Sequence, residues 1–370
     1  MAKNTNLNDA KRAKQDEFYT QWVDIEKEMN AYLDYNPDVF KDKTILLPCD
    51  DPEWSNFTKF FASRFRDFGI KKLISTSYSP KYRMDGQFHE PEPTLSNSDQ
   101  YDEVKDYERG KIFVLDVTDV NGDGRVNIED FKWEYLQGDG DFRSDEIKAL
   151  RDEADMVITN PPFSLFREFM AWLVEGDVEF SVIGNMNALT YKEVFPLVKE
   201  NKMWYGDTIH SGDREFRVPD SYPLDAAGFR TDAEGNNYIS VKGVRWFTNI
   251  QYGRRHEPLP LVTMDDNLSN NNKITKNSNS YKTYDNYDAI EVPVTACIPS
   301  DYDGVMGVPI SFLDKYSPEQ FEILGCSDNG FIDELYKLPH FKKHNEPYVD
   351  GKKVYKRIFI KHKAQSEQEK

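Results

Sequence analysis

The segment DMVITNPPFSLF, residues 155–166, ends an apolar run on a polar amide and follows it with two prolines and an aromatic ring. The Asn160 side-chain oxygen and the Pro161 carbonyl are acceptors, and neither Pro161 nor Pro162 has an N–H to offer. Two acceptors on stiff backbone suit the two N–H bonds of an exocyclic amine. Such a nitrogen is a poor nucleophile while its lone pair is conjugated into an aromatic ring. Acceptors lying out of the ring plane pull it toward tetrahedral geometry and free the lone pair. Phe163 can stack on the ring that carries the amine. The competing reading is a turn in which Asn160 caps the next helix and the prolines end the strand.

A second stretch with chemistry in its spacing is DVNGDGRVNIED, residues 119–130. Its first six positions fit a calcium-binding loop, with apolar Val126 at the eighth position and Asp130 at the twelfth. The candidate ligands are the side chains of Asp119, Asn121, Asp123 and Asp130 and the backbone carbonyl of Arg125. Gly124 sits where the loop must turn sharply. The competing reading is a metal-free acidic turn between strand and helix.

Apolar spacing shows which elements would position these groups. It predicts helices over 17–33, 56–69, 145–154 and 164–176. Strands are predicted over 43–50, 71–78, 111–118, 155–160 and 179–187. Residues 79–110 read as a long loop. The alternation predicts an α/β fold with a parallel-rich sheet flanked by helices. Ligands of such sheets sit outside the carboxyl ends of the strands, where Asn160 falls. Beyond residue 205 the pattern turns irregular, with VRWFTNI a short strand and the Asn/Ser-rich 265–282 a loop. The expected organisation is a domain over 1–205, with the candidate calcium loop inside 117–134, and a second over 206–370.

A net charge of −18 argues against wholesale attraction to nucleic acid or to an acidic membrane. The charge is uneven. Residues 99–155 hold 18 acidic against 8 basic side chains, whereas residues 337–370 hold 10 basic against 4 acidic. Further basic clusters are Lys11, Arg12 and Lys14, and Arg254, Arg255 and His256. They are either ordinary solvated surface or the rim of a groove for a polyanion. The three widely spaced cysteines read as free thiols in a reducing cytosol, which predicts a cytoplasmic protein. No apolar run approaches a membrane span, and the first residues do not resemble a secretory signal.

The tetrapeptide NPPF matches the fourth motif, [DNS]-P-P-[YFW], of the amino-methyltransferases that use S-adenosyl-L-methionine. The chain further resembles the EcoRI-type adenine-specific DNA methyltransferases. The resemblance rests on DEFYTQ (16–21), CDDPEWSNF (49–57), GDGDFRS (138–144), VITNPPFSLF (157–166), TYKEVF (190–195), YDNYDAI (284–290) and GVMGVPISFL (304–313). These blocks run in the same order over nearly the whole chain. The resemblance implies a Rossmann-like methyltransferase fold with a C-terminal target-recognition region.

It also implies roles. Asn160, Pro161, Pro162 and Phe163 would be the catalytic tetrapeptide. Phe18, Tyr19 and Thr20 would hold the methionine end of the cofactor, with Asp50 and Asp51 at its ammonium and Asp141 and Phe142 at its adenine. Trp246 would be either a second stacking aromatic opposite Phe163 or a core tryptophan. CDDP departs from the usual glycine-rich first motif, and ISTSY lacks the carboxylate that usually meets the ribose. The implied partner is double-stranded DNA, met by a monomer, with the target adenine rotated out of the helix and methylated at N6. Two other classes stand beside this one: methylation of an RNA or protein amide, and a non-catalytic DNA-binding decoy.

Overall fold

The computed structural model describes residues 19–51, 55–79, 98–210, 212–218, 228–270, 274, 280–328, 331 and 346–363. Phe18 and the Lys11–Arg12–Lys14 cluster lie outside the described residues. In chain order the first elements are α1 (Trp22–Tyr35), β1 (Thr44–Leu47), α2 (Asn56–Ser63), β2 (Lys72–Thr76), α3 (Glu103–Glu108) and β3 (Lys111–Leu115). Next come β4 (Lys132–Tyr135), α4 (Asp145–Glu153), β5 (Met156–Thr159), α5 (Phe166–Glu175), β6 (Glu179–Asn185), α6 (Phe195–Lys199) and β7 (Trp204–Tyr205). Then follow β8 (Asp213–Val218), β9 (Arg230–Thr231), β10 (Asn237–Lys242), β11 (Val244–Thr248) and α7 (Met264–Asn270). The last are β12 (Ile290–Glu291), β13 (Met306–Pro309), β14 (Phe321–Cys326), β15 (Tyr348–Val349), β16 (Lys352–Lys353) and β17 (Arg357–His362).

The chain divides into two compact units: Met1–Ala188 with Gly206–Tyr252, and Leu189–Tyr205 with Gly253–Lys370. A cut at 205 therefore does not follow the contacts. Residues 206–252 return to the first unit because β11 pairs antiparallel with β6, Val244 opposite Asn185.

In the first unit the sheet runs β4-β3-β2-β1-β5-β6-β11. The four central strands are parallel, with Thr44 beside Lys72, Ile45 beside Met156 and Thr159 beside Val182. β3 and β4 continue one edge antiparallel. The sheet is mixed, with the parallel centre that the alternation predicts and antiparallel margins. Every residue of β1 and of β5 is buried, the mark of strands covered on both faces. Helices supply that cover. α1 turns Ile25, Met29 and Tyr32 inward at helical spacing, and α2 buries Phe57, Phe60 and Phe61.

Two helices occupy stretches that read as loops, and both are set by polar caps rather than by apolar stripes. Asp102 accepts from the Val104 and Lys105 amides at the start of α3. Thr263 Oγ1 accepts the Asp266 amide and donates to the Asp266 carboxylate at the start of α7.

The second unit holds a four-stranded sheet, β12-β13-β17-β14, with β17 antiparallel to both neighbours. Arg357 on β17 grips Glu291 on β12 through Nη2 at 2.5 Å and Nε at 3.1 Å. Phe359 packs against Tyr284 and Tyr287 beneath it.

Candidate active site

From β1 the chain moves outward to β2, β3 and β4, then returns to lay β5 on the other side of β1. That reversal opens a crevice at the carboxyl ends of β1 and β5, where ligands of open α/β sheets bind. Asp50 follows β1, and Thr159 and Asn160 close β5. Asp50 is buried and is held from both sides of the crevice. Ser55 Oγ donates to Oδ1 at 2.6 Å, and Thr159 Oγ1 donates to Oδ2 at 2.5 Å. Ser55 also caps α2 by accepting the Phe57 amide. The Asp50 carbonyl accepts from Ser75 at the end of β2, and Ser75 meets Thr58 on α2. Burial pushes the Asp50 carboxyl up to about 7, against the Ser55 and Thr159 hydrogen bonds that lower it. No ion pair reaches it among the described residues. Burial also drives the neighbouring Cys49 thiol well up.

The segment ahead of α1 reaches the same place. Asn56 donates to the Thr20 carbonyl at 2.7 Å, one residue from Ser55. Tyr19 exchanges backbone hydrogen bonds with Arg217 on β8, at 2.9 and 3.1 Å. β8 in turn sets buried Phe216 edge-on to the Phe163 ring, 6.3 Å between centroids. One strand thus borders both the Tyr19–Thr20 segment and the NPPF segment. The Asn160 side-chain oxygen is shielded from solvent, Pro161 is buried, and Phe163 is half-buried at the rim.

The GDGDFRS loop docks on the end of β2. Ser79 donates its amide to the Asp139 carbonyl at 2.7 Å, and Gly140 lies over Ser77 with φ +82°. A Cβ at Gly140 would stand 2.2 Å from the Ser77 carbonyl oxygen, so only glycine fits. Asp141 is half-buried, and its charge is felt at Cys49. Burial raises its carboxyl, but Arg143, forked onto it at 2.9 and 2.5 Å, brings the net shift below the ordinary range. Phe142 is buried edge-on against Phe169 and Trp172, so its ring belongs to the core.

The structure bears on two features that the sequence leaves open. Trp246 is fully buried on β11, edge-on to Phe57. Its place is that of a core tryptophan, with no face open for stacking on a base. In the 119–130 loop, as elsewhere among the described residues, no group of three or more His, Cys, Asp or Glu is placed to hold a metal. Its oxygens are turned onto the loop's own backbone. Asp119 accepts from the Gly122 and Gly124 amides, Asn121 from Asp123, and Asp123 from Arg125. Buried Asp130 accepts from the Val120, Asn121 and Asn127 amides. These bonds close the loop into a tight turn.

The basic clusters are also largely committed to structure. Arg255 is buried, 3.7 Å from the Trp204 ring, and His256 meets Glu319 at 2.9 Å, leaving Arg254 exposed. In KRIFIKHK, Lys356 meets Asp328, Arg357 meets Glu291, and His362 meets the Pro299 carbonyl.

Several contributors escaped sequence reasoning. Ser55 was readable as a helix cap, but its bond to Asp50 was not. Thr159, Ser75 and Phe216 carry no local signal at all. Nor does Glu28, fully buried on α1, which accepts from the Asp207 and Thr208 amides at 2.9 Å and seats the turn leading to β8. Gly206 admits it, since a Cβ there would lie 2.0 Å from Glu28 Oε1.

A parallel-centred sheet whose switch point joins a buried carboxylate to a rigid, acceptor-rich Asn-Pro-Pro-Phe corner is the architecture of an amino-methyltransferase. The chain belongs to the EcoRI family of adenine-specific methyltransferases, whose family model (Adenine-specific methyltransferase EcoRI) matches residues 6–363. It is 41% identical over 362 residues to the type II methyltransferase M.EcoRI of Escherichia coli, covering 98% of each chain. It is 34% identical to the type II methyltransferases M.MpnI of Mycoplasma pneumoniae and M.MgeORF184P of Mycoplasma genitalium, covering 96% of this chain and 97% and 98% of theirs. No solved structure is significantly similar to it. Enzymes of this family use S-adenosyl-L-methionine. No helix among the described residues is long and apolar enough to cross a membrane.

Proposed function

We propose that the chain is a type II DNA adenine-N6 methyltransferase acting on double-stranded DNA, with NPPF as its catalytic corner. The observation that carries this reading is the crevice itself, where Asn160 stands one residue from the Thr159 hydroxyl that holds Asp50. The groups there fit S-adenosyl-L-methionine. Thr20 Oγ1 is buried with no hydrogen-bond partner among the described residues, and Asp50 is a buried carboxylate in need of a cation. Thr20, Asp50 and Asp51 would hold its methionine end, and the Asp141 segment borders the same side. The cofactor supplies, when bound, a methyl group on a sulfonium centre.

The chain's own work is positioning and acceptor dipoles. Asn160 Oδ1 and the Pro161 carbonyl accept the two N–H bonds of the adenine amine, and Pro162 keeps the corner rigid. An adenine inside the duplex is out of reach, so the base must leave the stack, at a cost of a few kcal/mol. Phe163, braced by Phe216, replaces part of the lost stacking.

Asn160→Ala tests this directly. Duplex binding and folding should persist while methyl transfer to adenine falls by about 10²–10³-fold, the range for losing one aligned polar group. Phe163→Ala should instead weaken both binding and rate, and should reduce the brightening of a 2-aminopurine placed at the target adenine. Full activity in Asn160→Ala would remove NPPF from the chemistry and leave the capped-turn reading in its place.

A further inference from the structure

Asp50 is gripped by one hydroxyl from each side of the crevice, and the two are not equivalent. Ser55 Oγ accepts the Phe57 amide at 3.0 Å while donating to Asp50, so one of its two lone pairs is already used in the α2 cap. Thr159 Oγ1 donates to the other carboxylate oxygen from the last position of β5. Asn160 is the next residue. Successive side chains of an extended chain point to opposite sides, so the turn of Thr159 toward Asp50 sets the direction of Asn160.

We propose that Thr159 is a positioning residue for methyl transfer: its hydroxyl ties the NPPF corner to Asp50, so that the charge of Asp50 governs both cofactor affinity and the placement of Asn160. This rests on the reading of the crevice as the methyl-transfer site. An ionised Asp50 accepts from both hydroxyls at once. A protonated Asp50 must donate from one oxygen; Ser55 already spends one lone pair on the Phe57 amide, so the reversed bond is assigned to Thr159. The corner then loses the contact that fixes it. The other titratable groups facing Asp50 are Asp51, which adds to the rise of its carboxyl, Cys49 beside it and, past Cys49, Asp141. None of them is a cation that would keep Asp50 ionised at low pH. With its carboxyl pushed up to about 7, the change falls near neutrality.

The test uses the full chain and three variants, Thr159→Val, Thr159→Ser and Asp50→Asn, each checked for folding by circular dichroism. Calorimetry measures binding of S-adenosylhomocysteine from about pH 5.5 to 8.5, and single-turnover methylation of a duplex is followed over the same range. In the parent, affinity and rate should decline together as pH falls through about 7. Thr159→Val removes a donor that favours the ionised carboxylate, so both limbs should move to higher pH by about one unit. At pH 7 that is a loss of up to about tenfold in affinity. Thr159→Ser keeps the donor and loses only rotamer restriction, so its limb should stay in place while the rate falls about two- to threefold. Asp50→Asn should flatten the affinity profile, and Thr159→Val added to it should cost no further affinity.

A Thr159→Val profile matching the parent, or an equal loss in both backgrounds, overturns the inference. Should the valine variant not fold, a serine limb displaced by a full unit overturns it instead. A parent that fails to bind S-adenosylhomocysteine overturns the methyltransferase reading and this inference together. A parent that binds and methylates, with an unmoved Thr159→Val limb, overturns this inference alone.

Discussion

At Asp50, burial and charge pull against each other. The carboxyl is lifted from the ordinary 3.8 to about 7 by desolvation, and two hydroxyl donors recover only part of that. Because the folded value lies above the unfolded one, the folded chain keeps a proton that the unfolded chain releases between about pH 4 and 7. The resulting destabilisation is absent below that window, grows through it and is complete above it. A shift of this size is on the order of 4 kcal/mol. Asp50→Asn should therefore stabilise the cofactor-free protein at pH 8, by about 1–3 kcal/mol, since Asn cannot accept from both hydroxyls as a carboxylate does. At pH 4 the gain should vanish. Thermal melts at the two pH values check this; equal melting temperatures of parent and variant at pH 8 would count against a strained carboxylate. A residue kept at such a cost to stability is expected at a functional site.

Among the elements, the loop between β4 and α4 shows how a short motif is positioned by backbone contact. Gly140 touches the Ser77 carbonyl so closely that a methyl group cannot enter, and its positive φ adds strain for any other residue. Gly140→Ala should lift the loop from β2 and move Asp141 away from Cys49 and Asp50. The expected result is a loss of about 2 kcal/mol or more in stability, together with cofactor binding weakened by about tenfold or more. Chemical denaturation and calorimetry read the two effects separately. An unchanged affinity would show that the loop does not contribute to the cofactor side of the crevice. The 119–130 turn makes a complementary point. Its spacing matches a cation loop, and its carboxylates accept from the loop's own backbone amides, bonds that short acidic side chains form readily.

For the whole molecule, a net charge of −18 means that attraction to DNA must be local. The Arg254–Arg255–His256 cluster separates into two kinds of cation. Arg255 is buried against Trp204, whereas Arg254 is exposed. Arg254→Ala should reduce the slope of log affinity against log salt by about 0.9, the loss of one phosphate contact. Arg255→Ala should lower the melting temperature and leave the slope as it was. A slope untouched by Arg254→Ala would place duplex contacts elsewhere on the surface.

Much of the fold was readable because its causes are local. The buried runs TILL and MVIT, the aromatic stripe after Ser55 and the stiff NPPF corner declare themselves within a few residues. They were sufficient for an α/β sheet with Asn160 at the carboxyl end of a strand, and the ordered blocks pointed to the family. Charge and spacing were less reliable, since neither says what a polar group will face. Only tertiary structure decided that Trp246 belongs to the core and that Arg255 and Arg357 are committed to internal partners. It also decided that residues 206–252 rejoin the first unit, through pairing of β11 with a strand about sixty residues earlier. The bond from Thr159 to Asp50 spans 109 positions. No local pattern encodes such a contact; it exists because the chain reverses across β1 and brings two strand ends side by side.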